Sequence, residues 1–249
     1  MKQTIMIMWL ITSLAYATDF DETLRLAKED NAKAQYNIGA MYDFGRGVAQ
    51  SDIEAARWYL KSAQQGVARS QYSLGVMYDK GRGVQQDDKE AFKWYLKSAE
   101  KGYALAQANL GSMYASGRGI PEDQKEAVRW FLKSAQKGNS IGQYLLASMH
   151  LSGKGVPQSN KKAFYWLLKA AKQGYAKAQF TIGLMYYGGR VAPENYISSY
   201  AWFSLAKISG DKDAIPALEA VKTIMTKQQI AEGQALAAKC YKSNYKDCD

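Results

Sequence analysis

Histidine is almost missing from these 249 residues. His150 stands alone, and the chain has only two cysteines and four prolines. A single histidine cannot build a multi-histidine metal cluster. No G-x-S-x-G, P-loop or H-E-x-x-H string occurs, so the usual signatures of a serine nucleophile, a phosphate cradle and a zinc protease are lacking as well. Adjacent carboxylates such as Asp87 and Asp88 imitate an acid/base pair, but a capping role already accounts for Asp87. No catalytic residue, metal or cofactor is therefore expected. The N-terminal apolar run, Ile5 to Leu14, is well short of the roughly 20 residues that span a bilayer. With Lys2 before it and Ala15-Tyr16-Ala17 after it, the run has the layout of a signal peptide cleaved after Ala17. No transmembrane segment is expected in the mature chain, which is placed in the periplasm or outside the cell.

Acidic residues are outnumbered, 23 Asp and Glu against 33 Lys and Arg, for a net charge of +10. Loss of the leader removes Lys2 and leaves +9. In an exported chain this charge points away from nucleic acid. It points instead to acidic protein surfaces, anionic lipid head groups or cell-wall polymers, with solubility alone as the competing reading. Cys240 and Cys248 would be bridged in an oxidising compartment. The nine-residue loop they close gives about 2.5 kcal/mol in the chain-entropy model, a local clasp on the tail.

What the chain does have is a period. Trp58, Trp94, Trp130, Trp166 and Trp202 stand 36 residues apart without insertion or deletion. Gln35, Gln71, Gln107, Gln143 and Gln179 keep the same spacing, as do Met41, Met77, Met113, Met149 and Met185. Glycine punctuates each repeat twice. The series Gly45 to Gly189 is expected to end a first helix, and the series Gly66 to Gly210 a second. Ser51, Asp87, Asp123, Ser159 and Asn195 are read as N-caps of the second helices, with Glu54, Glu90 and Glu126 completing capping boxes. In the first repeat this predicts helices at about Ala32–Phe44 and Asp52–Gln65. Residues 18–30 read as an N-terminal capping helix, 31–210 as five repeats, and 211–249 as capping helices and tail, with a capping box at Thr226 and Gln229.

The strings Ala34-Gln35-Tyr36-Asn37-Ile38-Gly39-Ala40-Met41-Tyr42, Gly45-Arg46-Gly47-Val48 and Ala55-Ala56-Arg57-Trp58-Tyr59 resemble the Sel-one-like repeat, a relative of the tetratricopeptide repeat. The resemblance covers residues 31–210. It implies an all-α, right-handed α-solenoid of tandem 36-residue helix-turn-helix repeats, and a role as adaptor or scaffold. Val191, where the other repeats have a loop glycine, puts the fifth loop's shape in question. Ala147 and His150 replace the glycine and tyrosine of the fourth repeat. The cysteine pairs of the family's cysteine-rich secreted branch are missing, so that branch's function is not carried over.

Positions that do not vary among the five repeats serve the stack, and first-helix positions that vary are the candidates for contact. By resemblance to tetratricopeptide repeats, these line a concave face. One row contains Lys33, Arg69, Ile141 and Lys177, a second Tyr36, Tyr72, Tyr144 and Phe180, and a third Asp43 and Asp79. Tyrosines flanked by Lys and Arg suit a protein or peptide partner of acidic character, whereas the alternative reading makes the Tyr36 row packing. The basic series Arg46, Arg82, Arg118, Lys154 and Arg190, with Lys61, Lys97, Lys133 and Lys169, offers a second function: binding a cell-wall glycan or another anionic envelope polymer. Against that stand the i, i+3 pairs Glu54–Arg57, Glu90–Lys93 and Glu126–Arg129, which describe a solvated helix face.

Overall fold

In a computed structural model of the chain, residues 19–190, 193–245 and 247–248 are described. The expected leader with its cleavage at Ala17, and Val191, lie outside the described residues. All regular structure among the described residues is helical. Two compact units divide the chain, residues 1–122 and 123–249. The first holds α1 (residues 19–28), α2 (Ala32–Phe44), α3 (Asp52–Gln64), α4 (Ala68–Lys80), α5 (Asp88–Glu100) and α6 (Ala104–Ser116). The second holds α7 (Gln124–Gln136), α8 (Ser140–Ser152), α9 (Asn160–Ala171), α10 (Ala176–Tyr187), α11 (Tyr196–Ile208), α12 (Ala214–Lys222) and α13 (Lys227–Lys242). Within each unit, consecutive helices pack in chain order from α2 to α6 and from α7 to α12, and α13 returns to cover α11.

The punctuation works largely as the sequence predicts. Gly45, Gly81, Gly117 and Gly153 cap the first helices in the left-handed region, each donating its N–H to the methionine carbonyl four residues back. In the fifth repeat α10 stops one residue early, at Tyr187, with Gly188 as its cap at φ −97°, while the positive φ stays at the expected Gly189. All five predicted second-helix N-caps accept a backbone N–H on their side chains. The capping boxes expected at Glu54, Glu90 and Glu126 do not form. The cap N–H groups of Ser51 and Asp87 already donate to the Tyr42 and Tyr78 carbonyls. The glutamates turn forward instead, to Arg57, Lys93 and Arg129. At Thr226 and Gln229 the box is complete.

The invariant ladders tie repeat to repeat. Each ladder glutamine is buried and donates its Nε2 to a carbonyl in the last turn of the preceding helix: Gln71 to Ala63, Gln107 to Ala99, Gln143 to Ala135 and Gln179 to Ala171, at 3.1–3.3 Å. Gln35 reaches Ala27 of α1 in the same way. Inside a repeat, helices cross where a ring sits on a glycine. A Cβ added at Gly39, Gly75 or Gly183 would come within 2.7, 2.7 or 2.5 Å of the Tyr59, Tyr95 or Phe203 ring. The fourth repeat compensates for Ala147 with the smaller Leu167, and the two share one core cluster. The C-terminal tail is tied by the Cys240–Cys248 disulfide, with Cα atoms 4.4 Å apart and both cysteines buried.

Candidate functional site

On the first helices, Lys33, Arg69, Ile141 and Lys177 are exposed, as their row requires for contact. The aromatic row is half-buried. One side of each ring is used in packing: Tyr36 lies against Tyr59, Tyr72 against Tyr95 and Tyr103, Tyr144 against Tyr175, and Phe180 against Phe203, with centroids 5.1–5.9 Å apart. The rings of this row are thus packed on one side and remain partly exposed. Tyr103 and Tyr175, at the N-cap positions of α6 and α10, extend the clusters; as N-caps without a capping side chain they gave no signal of it.

Asp43 and Asp79 belong to a different system. The Arg82 guanidinium, in the loop of the second repeat, reaches back to both Asp43 and Asp52 of the first. Asp43 also accepts from Tyr59 Oη at 3.2 Å. One repeat on, Arg118 is bonded to Asp79 and lies 3.7 Å from Asp88. The hydrogen bond from Arg82 holds the Asp52 carboxyl below its ordinary range, and Asp52 and Asp43 together push the guanidinium up. The glycine that follows each arginine lets the loop settle on the neighbouring helix start. A Cβ on Gly83, at φ +66°, would lie 2.1 Å from the Asp52 carbonyl oxygen, and one on Gly119 would lie 2.6 Å from that of Asp88. Gly-Arg-Gly is thus an inter-repeat clasp. Its carboxylates, expected on the sequence to face a partner, are paired within the stack, each with the loop arginine of the next repeat.

The second-helix lysines are engaged as well. Lys61, Lys97 and Lys133 lie over the rings of Trp58, Trp94 and Trp130 at 4.4, 4.3 and 3.7 Å, and Lys169 lies over Tyr165 and Trp166. His150 is buried at its packing position. No group of three or more His, Cys, Asp or Glu placed to hold a metal occurs among the described residues.

Between α4 and α6 the first unit opens into a cleft of about 560 Å3, with Tyr72, Val76, Asp79 and Lys80 on one side, Asn109, Ser112 and Ser116 on the other, and Tyr95 and Arg118 completing its lining. Tyr95 is 1% exposed; its hydroxyl makes no bond to Asp79 and lies beside the Asn109 carboxamide. Burial pushes this phenol well above its ordinary value, with the Asp79 carboxylate adding to the effect. Tyr59, its equivalent one repeat earlier, gives its hydroxyl to Asp43. On α6, Asn109 stands where α4 has Ser73 beside Tyr59, and Ala108, Ser112 and Ser116 replace Tyr72, Val76 and Lys80.

With five tandem units in this geometry, the comparison with known proteins is decisive. The family model described as Sel1 repeat matches residues 32–67, 68–103, 104–139, 140–175 and 176–211. The chain belongs to the Sel1 repeat family. Sel1 repeats generally act as protein-interaction scaffolds. A protective antigen present in uropathogenic Escherichia coli strains, displaying an SLR fold, is similar with a TM-score of 0.84 and 35% identity over 90% of this chain and 48% of that one. This chain thus spans about half the length of that relative. A Sel1 repeat protein from Oxalobacter formigenes aligns with a TM-score of 0.81 and 26% identity over 92% of each chain. An immunity protein from Pseudomonas aeruginosa shares the fold alone, at 20% identity and a TM-score of 0.52 over 86% of this chain and 80% of that one. No curated protein matches the chain.

Proposed function

We propose that this Sel1 repeat protein is an exported, non-catalytic adaptor that holds a partner polypeptide on the first-helix face of its repeats. The observation that carries the reading is the aromatic row, half-buried and bordered by the exposed cations Lys33, Arg69 and Lys177. A ring already fixed by packing loses little conformational freedom when a partner covers its free edge, so such rings bind at low entropic cost. The basic series offers less to a polymer, since Arg82 and Arg118 are paired with aspartates and the helix lysines rest on tryptophans. Three features support export: the leader expected at residues 1–17, the Cys240–Cys248 disulfide, which persists in oxidising compartments, and a relative described as a protective antigen. No described helix is long and apolar enough to cross a membrane.

The test is in-cell crosslinking of the wild-type chain beside a Lys33→Glu, Arg69→Glu, Lys177→Glu variant. Loss of the captured polypeptide with helicity unchanged is the expected result. Equal capture by both chains rejects the first-helix face.

A further inference from the structure

We infer that the exposed face of α9, in the fourth repeat, is a docking surface for an anionic phospholipid bilayer. The inference goes beyond the adaptor reading and leaves the first-helix face free for a partner. Positive charge is concentrated in one stretch of the chain. Residues 123–210 hold 12 Lys and Arg against 3 Asp and Glu, whereas residues 18–122 hold 14 of each and residues 211–249 hold six of each. Apart from Lys2, the whole net charge of +10 therefore belongs to α7–α11 and their loops. Charge placed anywhere on the surface serves solubility, so solubility does not call for this concentration.

The concentration is greatest on α9. The helix and its C-cap carry Lys161, Lys162, Lys169 and Lys172 and no carboxylate. At 3.6 residues per turn, these four and Tyr165 fall within an arc of about 100°. Lys161, Lys162 and Lys169 are exposed, as is Tyr165 at 52%, and Lys172 is half-buried. In the first three repeats this face is neutralised by the pairs Glu54–Arg57, Glu90–Lys93 and Glu126–Arg129, whose positions are taken in the fourth by Lys162 and Tyr165. The following loop adds a cation. The Arg190 carbonyl accepts from Asn160 Nδ2 at 3.1 Å, and the positions that give Arg82 its carboxylates are held for Arg190 by Leu151 and Asn160. The Lys169 ammonium lies over the Tyr165 and Trp166 rings at 4.6 and 5.2 Å, a contact that leaves its charge in place.

Charge complementarity calls for an anionic occupant, and the composition selects a bilayer. Ten of the 12 cations in residues 123–210 are lysines. Protein interfaces are depleted in lysine and use arginine to grip a carboxylate with two bonds. A headgroup layer attracts through summed charge instead, and each lysine near it strengthens binding roughly fivefold. A tyrosine among the lysines suits the headgroup depth, where an amphipathic ring meets both acyl chains and water. An extended polymer would need the face to continue along the stack. The equivalent positions of α11 hold Ile197, Ser198, Ala201 and Leu205, without charge, and α13 packs on that helix.

The test is co-sedimentation of the mature chain with vesicles of phosphatidylcholine, alone or mixed with an equal part of phosphatidylglycerol. Retention is expected on the mixed vesicles at about 0.1 M salt, with release at about 0.5 M and no retention on phosphatidylcholine. Lys162→Glu with Tyr165→Arg reinstates on α9 the pair that Glu126 and Arg129 form on α7, and helicity read by circular dichroism should not change. This chain is expected to bind the mixed vesicles about tenfold more weakly or less. Lys89→Gln, at the exposed position of α5 equivalent to Lys161, lowers the net charge by the same amount and should leave retention unchanged. Equal retention on the two vesicles, equal loss in the two variants, or undiminished retention by the α9 variant would each overturn the inference. So would no retention on either vesicle, and binding of poly-L-glutamate in that case would assign the face to an acidic polypeptide. Partner capture through Arg69 is read separately, so the docking surface can fall while the adaptor reading stands.

Discussion

Tyr59 and Tyr95 differ from their equivalents Phe131 and Phe203 by a hydroxyl, Leu167 lacking the ring as well, and the repeats with that hydroxyl are the ones with an aspartate sixteen residues earlier. At Tyr59 the hydroxyl meets Asp43, whereas at Tyr95 it makes no bond to Asp79 and has only the Asn109 carboxamide beside it. Tyr59→Phe is therefore expected to lower stability by about 1 kcal/mol, and Tyr95→Phe to leave it unchanged or raise it by less than about 1 kcal/mol, in paired thermal melts. A reversed order of the two would contradict the assignment of the hydroxyls. Glycines separate in the same manner. Gly83→Ala meets both an unfavourable φ and the Asp52 carbonyl and should cost about 3 kcal/mol or more, whereas Gly138→Ala, at φ +82° with open space around it, should cost about 1 kcal/mol. At this scale the sequence was hardest to read. Asp43 and Asp79 vary among repeats, which makes them look free, yet each pairs with an arginine 39 residues later in the next repeat. Comparing equivalent positions one at a time does not reveal a pair that spans the repeat boundary.

Helices were legible nearly to the residue, because glycine and cap chemistry fix their ends by local sterics and hydrogen bonding. The exceptions have local causes too. The glutamates of α3, α5 and α7 have no cap N–H left to satisfy where Ser51 and Asp87 have given theirs to the previous helix, and α10 ends a residue early at a glycine pair. The seam between paired helices, built from Tyr59, Tyr72 and Tyr95, has a pH signature. Burial raises all three phenols above their ordinary value, so the folded state favours the protonated form. Their contribution to stability is fully present below about pH 10, where free tyrosine ionises, and is lost as pH rises from there toward the folded values. Denaturant titrations at rising pH should show a falling midpoint above about pH 10, steeper than in a Tyr59→Phe, Tyr72→Phe, Tyr95→Phe chain. Equal slopes in the two chains would remove the seam as the cause.

Across the whole chain, the ladders that identify the family serve the stack: glutamines bond the preceding helix, glycines admit rings and loop contacts, and tryptophans support lysines. What is left for recognition of a polypeptide is the set of first-helix positions where the repeats disagree. The exposed basic and half-buried aromatic rows were visible in the sequence. The cleft was not, because its lining comes from three helices, α4, α5 and α6, whose meeting no spacing along the chain reveals. The most direct measurement places a photocrosslinking residue at Arg69 on a first helix, or at Lys97 on a second helix, in living cells. The account predicts one partner polypeptide crosslinked from position 69 and none from position 97. Crosslinks from position 97 alone would contradict it.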